Sequence, residues 1–566
     1  MVSDDHRSEN GQNRRYFLKI LGASGPALLA GCVGGNQGQG TPEGEETTAG
    51  DQDGTPSGDG QEPTTTASDE IPYGGHLIDV GESAPQNLSP HRGAAGLGDI
   101  TVRDMMYSSL TQVDQDANLV SDLATEWTTN DALDSWTFDL NEGANFVTGD
   151  NVLAQDVKAT VEILQSDRVP GGSRSLYATE SVEVEDDHRI RFDLSEPDSQ
   201  LPVKFAEINN LLKIVPQELK DDYDRIEQKD FGSGPLVLED WEPGVVYEFS
   251  AFDDYHHKDW LIQNPVPYID KLTYRKVEDQ VAQTNLLKDK SADVLHQPKG
   301  KVASRIKNID HAVLNKKATA GFTPVVLNTN IEPLSDNRVR QAIKYGIDHK
   351  VLAEAMAEES VAAYHSPVSP LHPHFDPDIE DPFGPGAKPE KAKELLAEAG
   401  YSDGLELPTL YILNTTTSEA AVFQQQLGDI GIEFDLQTQP YDVWISETWF
   451  AEDKWYFSSW SARMSELTVL NLSWRSDGKW NTGYWKDEEM TDLIQQANAT
   501  VDDEELQTIM TDIQRKAHLD GPWLVIGFIE RYWAHADYVK NVEPTGARSF
   551  DYVSEYAWMT EDAPDR

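Results

Sequence analysis

One thiol is available to this chain: Cys32, the single cysteine in 566 residues. It ends Leu29-Ala30-Gly31-Cys32, and ahead of it run Asn13-Arg14-Arg15-Tyr16-Phe17-Leu18-Lys19 and an apolar stretch from Ile20 to Gly31. Paired arginines, an apolar segment and small residues before a cysteine have the form of an export address whose thiol takes a lipid. The apolar stretch is 12 residues long, too short to cross a hydrocarbon core of about 30 Å as a helix. Arg14 and Arg15 are therefore assigned to export and Cys32 to lipidation, the alternative being a buried thiol without chemistry. Histidines gather at His256-His257, His365 and His372-Pro373-His374. No pair brackets a glutamate at helical spacing as a zinc site would. His372 and His374 follow Pro370, where solvated or locally bonded imidazoles are expected, so no metal and no cofactor are assigned. There is no nucleophile elbow, Walker loop or zinc-protease motif. No catalytic residue is assigned, and the chain is not expected to be an enzyme. Aromatic residues crowd one stretch: Trp449, Trp455, Tyr456, Trp460, Trp474, Trp480, Tyr484 and Trp485. Core packing and a stacking platform for a sugar face or an apolar side chain are both open readings.

Stepping from these groups to the chain that must position them, charge dominates. Asp plus Glu number 99 against 46 Lys plus Arg, a formal net charge of −53. In dilute buffer such a surface repels itself; at about 1 M salt the screening length falls to roughly 3 Å and the penalty fades. The acids are spread along the chain, which favours solvated faces adapted to concentrated salt, of the kind halophilic archaea use. The rival reading is a surface for cations or basic partners. Nucleic acid is excluded as a partner, since it requires basic patches. Residues 33–70 hold nine acids, no Lys or Arg and no aromatic residue, too little apolar surface to order a core, and read as an extended linker. From Ile71 the text is globular. Alternation marks strands at Trp136-Thr137-Phe138-Asp139-Leu140 and Ile190-Arg191-Phe192-Asp193-Leu194. Ser335-Asp336 caps a helix carrying Val339, Ala342, Ile343 and Ile347. Pro389 opens a second, with Ala392, Leu395, Leu396 and Ala399 as its stripe and Gly400 as its stop. Leu410–Leu413, then a helix capped by Ser418 with Ala420, Phe423, Leu427 and Ile430 inward, then the strand from Ile432 to Leu436, form a βαβ unit and hence an α/β domain.

Several of these segments, in order, carry a likeness. They include Leu123-Ala124-Thr125-Glu126-Trp127, the stretch from Gly149 to Val157, Gly232-Ser233-Gly234-Pro235, Ile269-Asp270-Lys271, Leu327-Asn328-Thr329, Arg338-Val339-Arg340-Gln341-Ala342 and the stretch from Lys391 to Tyr401. From about Gly74 to its end the chain resembles extracytoplasmic solute-binding proteins of family 5, which serve peptide/nickel-type ABC transporters. The resemblance implies a two-lobed α/β fold of the periplasmic-binding-protein type II kind, with an extra inserted subdomain and a hinge between lobes. The expected organisation is a signal peptide with lipobox at 1–32 and an acidic linker at 33–70. Lobe I then takes 71–110, 206–325 and 527–566, the inserted subdomain 111–205, and lobe II 326–526.

The resemblance also implies a pocket segment in lobe II, here Trp460-Ser461-Ala462-Arg463-Met464-Ser465-Glu466. Peptide-binding relatives place an aspartate where Arg463 stands. An arginine repels an ammonium group and offers forked donors to a carboxylate, sulfonate or phosphate, unless Glu466 takes over the anchoring of an amine. Trp460, Arg463, Glu466, Trp455 and Tyr484 are the assigned ligand contacts. The expected function is that of a monomeric, lipid-anchored receptor on the extracellular face of the cytoplasmic membrane. It would be exported by the twin-arginine route and would hand a small organic solute (peptide, oligosaccharide or metal chelate) to the permease subunits of an ABC importer. A sensory binding protein docking on a chemotaxis transducer is the alternative, and a secreted hydrolase a more distant one.

Overall fold

The computed structural model describes residues 71–91, 97–114, 118–169, 176, 178–207, 211–256, 266–356, 360–362, 366–384, 386–542 and 556–565. Arg14, Arg15, Cys32, the linker, His257 and His365 lie outside the described residues. The sheet that organises the body has eleven strands. One half is built on the strand His76–Gly81, which pairs in parallel with Lys271–Lys276 and with Val294–His296. The other half is built on Leu410–Leu413, parallel to both Leu436–Gln439 and Trp455–Phe457. Between the halves run two long antiparallel strands, β1 (Ala312–Val326) and β2 (Trp523–Ala536), which pair from Ala312 opposite Ala536 to Val326 opposite Trp523.

Three hydrophobic cores follow from this layout. The first gathers Leu77, Leu272, Leu295, Ala534 and Ala536 with the four-stranded antiparallel sheet Ala124–Thr129, Ser135–Leu140, Arg189–Leu194 and Thr179–Asp186. Strands 135–140 and 189–194 alternate buried and half-buried residues, as their sequence predicts for a sheet with one covered face. The helix Ala154–Gln165 packs on it, and Asp156 is its cap: one oxygen accepts from Leu153 N at 2.8 Å and the other from Gln217 N at 2.7 Å. The second core centres on Val325, Val339, Leu395, Phe423, Trp455 and Leu524. The third is the aromatic one, with Phe322, Tyr456, Trp460, Trp474, Trp523 and Phe528.

The two long strands thus change cores along their length, and the ladder breaks where they do. Ala318 faces Glu530 and Phe322 faces Phe528, so Thr319, Ala320 and Gly321 stand against Ile529 alone. This bulge is pinned by Thr319 Oγ1, which donates to Ile529 O at 2.8 Å. A bulge loosens pairing and twists a strand locally.

Local expectations fare unevenly, for physical reasons. The helix Pro389–Glu398 opens on its proline, and Gly400 beyond it sits at φ +98°, a conformation that favours glycine. The helix Asn337–Tyr345 is capped by Asp336, and it stops at Gly346. Ile347 is buried beyond the helix, and Asp348 caps a separate one at His349–Glu354. The helix of the βαβ unit begins at Thr417 with Thr416 at the N-cap position, two residues before the expected cap Ser418. Its second strand divides: Ile432–Glu433 pairs with Leu405–Glu406, and Leu436–Gln439 alone joins the main sheet. The arginine at the centre of Arg338-Val339-Arg340 is a brace. Arg340 is buried and donates to the carbonyls of Leu334 and Ser335 at 2.9 Å and of Asp520 at 2.8 Å. Burial lowers its pKa to about 10.

Candidate functional site at the seam between the lobes

The segment after strand Trp455–Phe457 crosses the bulge of β1 edge to edge. Trp460 N donates to Phe322 O at 2.9 Å, and Phe322 N donates back to Trp460 O at 3.0 Å. A Cβ on Gly321 would meet Trp460 O at 3.0 Å and Ala462 N at 3.2 Å, so this close approach asks for glycine. The Trp460 ring lies parallel to Phe322, with centroids 6.1 Å apart and planes 4° apart. It also touches Trp480 at 5.6 Å and Trp523 at 5.3 Å. It is 4 % exposed, a packing residue at the strand crossing as much as a surface.

Arg463 follows, 8 % exposed. Its Nη1 donates to Ser461 Oγ at 2.7 Å and to Ala462 O at 3.2 Å, and its Nε lies 3.8 Å from Glu207 Oε2. Glu207 belongs to the opposite lobe, on the segment that packs with the first core through Leu201 and Phe205. Its other oxygen accepts from Thr468 Oγ1 at 2.8 Å and from Ser465 N at 3.4 Å, both at the start of helix α1 (Glu466–Ser473). Three more contacts continue the seam. Ser465 Oγ donates to Gln200 Oε1, Ser199 N donates to Asn498 O at 2.9 Å, and Arg475 Nη1 pairs with Glu196 at 2.5 Å. The forked donors expected to await an anion are therefore met by protein groups.

Glu466 is also engaged. His374 bridges two acids, its Nδ1 at 2.5 Å from Glu466 and its Nε2 at 3.1 Å from Asp503. Burial works against the charged imidazole, but the two carboxylates outweigh it and raise the His374 pKa. Burial likewise pushes Glu466 up, and the His374 contact overcomes this to hold it below the usual carboxylate range. His372, two residues away, is the opposite case. Burial lowers its pKa; it donates from Nε2 to Arg463 O at 2.9 Å and accepts from Ser369 N at 2.9 Å, the pattern of a neutral ring. Both histidines are buried, and together they fix the loop carrying Arg463 to Glu466. Among the described residues no group of three or more His, Cys, Asp or Glu has the geometry to hold a metal ion.

The structure thus brings Trp460, Arg463 and Glu466 together and places Trp455 and Tyr484 elsewhere. Trp455 is fully buried in the second core beside Phe434 and Phe423, its indole donating to Pro408 O at 2.8 Å. Tyr484 stands beyond the other end of that strand, its hydroxyl on Phe450 O at 2.6 Å. Asn328 holds the neighbouring loop through the carbonyls of Ala451, Glu452 and Lys454, and Thr329 N donates to Gly483 O at 2.9 Å. The Asn-Thr pair is therefore a loop clamp. Glu207, Gln200, Glu196 and Arg475 escape sequence reading, because one acid among 99 carries no signal and their partners are far away in the chain. A cavity of about 280 Å³ lies between residues 84–89 and the helix Leu97–Met106, with Gln86, Asn87, Ser89, Asp99 and Arg103 as its polar lining.

Comparison with known proteins shows the family and the fold. Residues 118–482 match the family described as bacterial extracellular solute-binding proteins, family 5 Middle. The oligopeptide-binding protein AppA of Bacillus subtilis (strain 168) is 24% identical over 497 residues, covering 81% of this chain and 87% of AppA. Among solved structures, the binding protein AgaA of A. tumefaciens R10, in complex with agropinic acid, superposes with a TM-score of 0.72 at 23% identity, covering 86% of this chain and 99% of that one. DppA of Helicobacter pylori, in complex with the peptide STSA, gives a TM-score of 0.72 at 20% identity over 86% and 98%.

Proposed function

The chain belongs to the family 5 extracellular solute-binding proteins, and from that premise we propose that it captures a small organic solute between its two lobes for an ABC importer. The observation that carries the mechanism is the change of core along β1 and β2. Each half keeps its own packed interior, and the two long strands are interrupted at 319–321 where the interiors meet. The contacts described across the seam are polar. An interface of this kind parts at modest cost, whereas a packed core does not. Flexing at the bulge then opens and closes the seam, a hinge motion, and a solute drives closure by its greater affinity for the closed form.

The solute class follows from what the seam offers. Arg463 and Glu466 are each met by a charge from this chain, so neither stands ready as the single anchor of an acid or an amine. Stacking and neutral hydrogen bonding carry more of the selection, which suits an oligosaccharide or a metal chelate as well as a peptide. We further propose that residues 1–32 direct twin-arginine export, that a lipid on Cys32 and the acidic linker hold the monomeric receptor outside the membrane, and that the acidic surface suits concentrated salt. Native mass spectrometry of the purified chain tests the capture reading. A stoichiometric small organic molecule released on denaturation and rebound by the refolded chain is the expected result. No bound molecule, together with no shift in melting temperature across peptides, oligosaccharides and metal chelates, contradicts it.

A further inference from the structure

Glu207 reaches from one lobe into the other, where it meets Arg463, Ser465 and Thr468. Its carboxylate is 3 % exposed and the Arg463 side chain 8 %. At that burial an ion pair is poorly screened, and removing one member leaves the other charged without compensation. One oxygen ties the first turn of α1 through Thr468 and Ser465, while the other faces the Arg463 guanidinium. Hydrogen bonds to ionised groups are the stronger kind. The segment that carries Glu207 is itself anchored within its own lobe. Lys204 and Asp198 form a buried pair at 2.6 Å, Trp136 Nε1 donates to Asp198 O at 2.9 Å, and Thr111 Oγ1 donates to Pro202 O at 2.6 Å. Glu207 therefore moves with lobe I and the groups that donate to it with lobe II.

We infer that Glu207 is the positioning residue of closure: a carboxylate from lobe I that neutralises Arg463 and fixes the start of α1 in the closed arrangement. This rests on the two-lobed capture reading and adds to it. Arg463 stands on one side of the seam, and the acid that faces it comes from the other. The charge at this point joins lobe to lobe, and solute selection falls to the uncharged groups around it. Glu196 and Arg475 make a second, weaker tie on the same seam.

Distance measurement between spin labels at Glu180→Cys and Glu504→Cys, both exposed positions on opposite lobes, tests this in the full chain carrying Cys32→Ser. Without substitution in the seam and without solute, two distances are expected, a short closed one resolved beside a longer open one. Glu207→Ala should raise the open-to-closed ratio about tenfold, the scale of a lost hydrogen bond to a charged group. Glu207→Gln, which keeps an acceptor for Thr468, should raise it less. The double variant Glu207→Gln with Arg463→Gln should be no more open than the sum of its parts predicts, and less so if the two residues are coupled. Equal open-to-closed ratios in the parent and in both Glu207 variants overturn the inference and leave the hinge intact. A single short distance that persists even when Glu196, Gln200 and Glu207 are all alanine overturns the inference and the hinge with it. Where Glu207→Ala fails to fold, Glu207→Gln and Arg475→Ala provide the same comparison.

Discussion

Two regions of this molecule lie side by side and are built on opposite terms. Around Trp460 the interior is aromatic: Phe322, Trp474, Trp480, Trp523 and Phe528 meet ring to ring at centroid distances of 5.3 to 6.1 Å. A few residues further on, Arg463, Ser465, Thr468 and Arg475 meet Glu207, Gln200 and Glu196 through charge and hydrogen bonds. Dispersion and apolar burial give the first region a single packed arrangement. The second has partners that water can replace when the lobes separate. The contrast teaches where each lobe keeps its shape and where the molecule is free to open.

Breaking the aromatic side should have the largest effect. Trp460→Ala removes a buried ring from a full core and should cost about 3–5 kcal/mol of unfolding free energy, read as a lower denaturation midpoint. Retention of wild-type stability would mean that this region is not the packed one. Next comes the hinge-side clasp on the Pro-rich loop. His374→Ala leaves the buried Glu466 without its counter-charge and should cost about 3 kcal/mol. Its pH dependence has a definite sign. His374 has its pKa raised above the ordinary 6.5, so its contribution is complete below that value and is lost as pH rises through the raised one. Glu466 has its pKa lowered from 4.5, so its contribution is present above 4.5 and is lost as pH falls through the lowered one. The stability difference between wild type and His374→Ala should therefore be greatest between these two values and shrink in alkaline buffer. Taking the difference largely cancels His372, whose lowered pKa destabilises the fold as pH falls below 6.5. A difference that grows with pH would contradict the assignment of charge to His374.

A smaller effect is expected at the crossing itself. Gly321→Ala pushes a methyl group to 3.0 Å from Trp460 O, and such overpacking costs about 1–3 kcal/mol; a denaturation midpoint equal to wild type would show that the two backbones have room to part. The smallest loss belongs to the seam. Arg475→Ala removes pairs to two acids, Glu196 at 33 % and Asp477 at 66 % exposure, and pairs to acids that open to water contribute under about 1 kcal/mol each. Its melting temperature should barely move even as the population of open molecules rises. A large loss of stability there would erase the distinction between core and seam.

Much of the fold is legible because its signals are local. Pro389 and Gly400 bracket their helix, and the alternation at 135–140 and 189–194 gives both the strands and their covered face. Where the reading slips, long-range pairing decides: Ile432 and Leu436 look like one strand, but a neighbour at Leu405–Glu406 claims the first part. The candidate site divides in the same way. Trp460, Arg463 and Glu466 lie within seven residues of one another and are visible as a cluster. Glu207 is 258 residues from Ser465, and only the fold shows that they meet. Trp455 and Tyr484 have the right side chains for stacking, but strand direction and end decide which aromatic residues reach the seam, and periodicity does not record that.

The central claim is that two halves, each keeping its own packed interior, close over a solute by bending at Thr319 to Gly321. Small-angle X-ray scattering of the chain, recorded with and without saturating amounts of the solute identified by native mass spectrometry, tests it most directly. A smaller radius of gyration with solute, at unchanged secondary structure, is the predicted result. Superimposable scattering curves in the two states would contradict it.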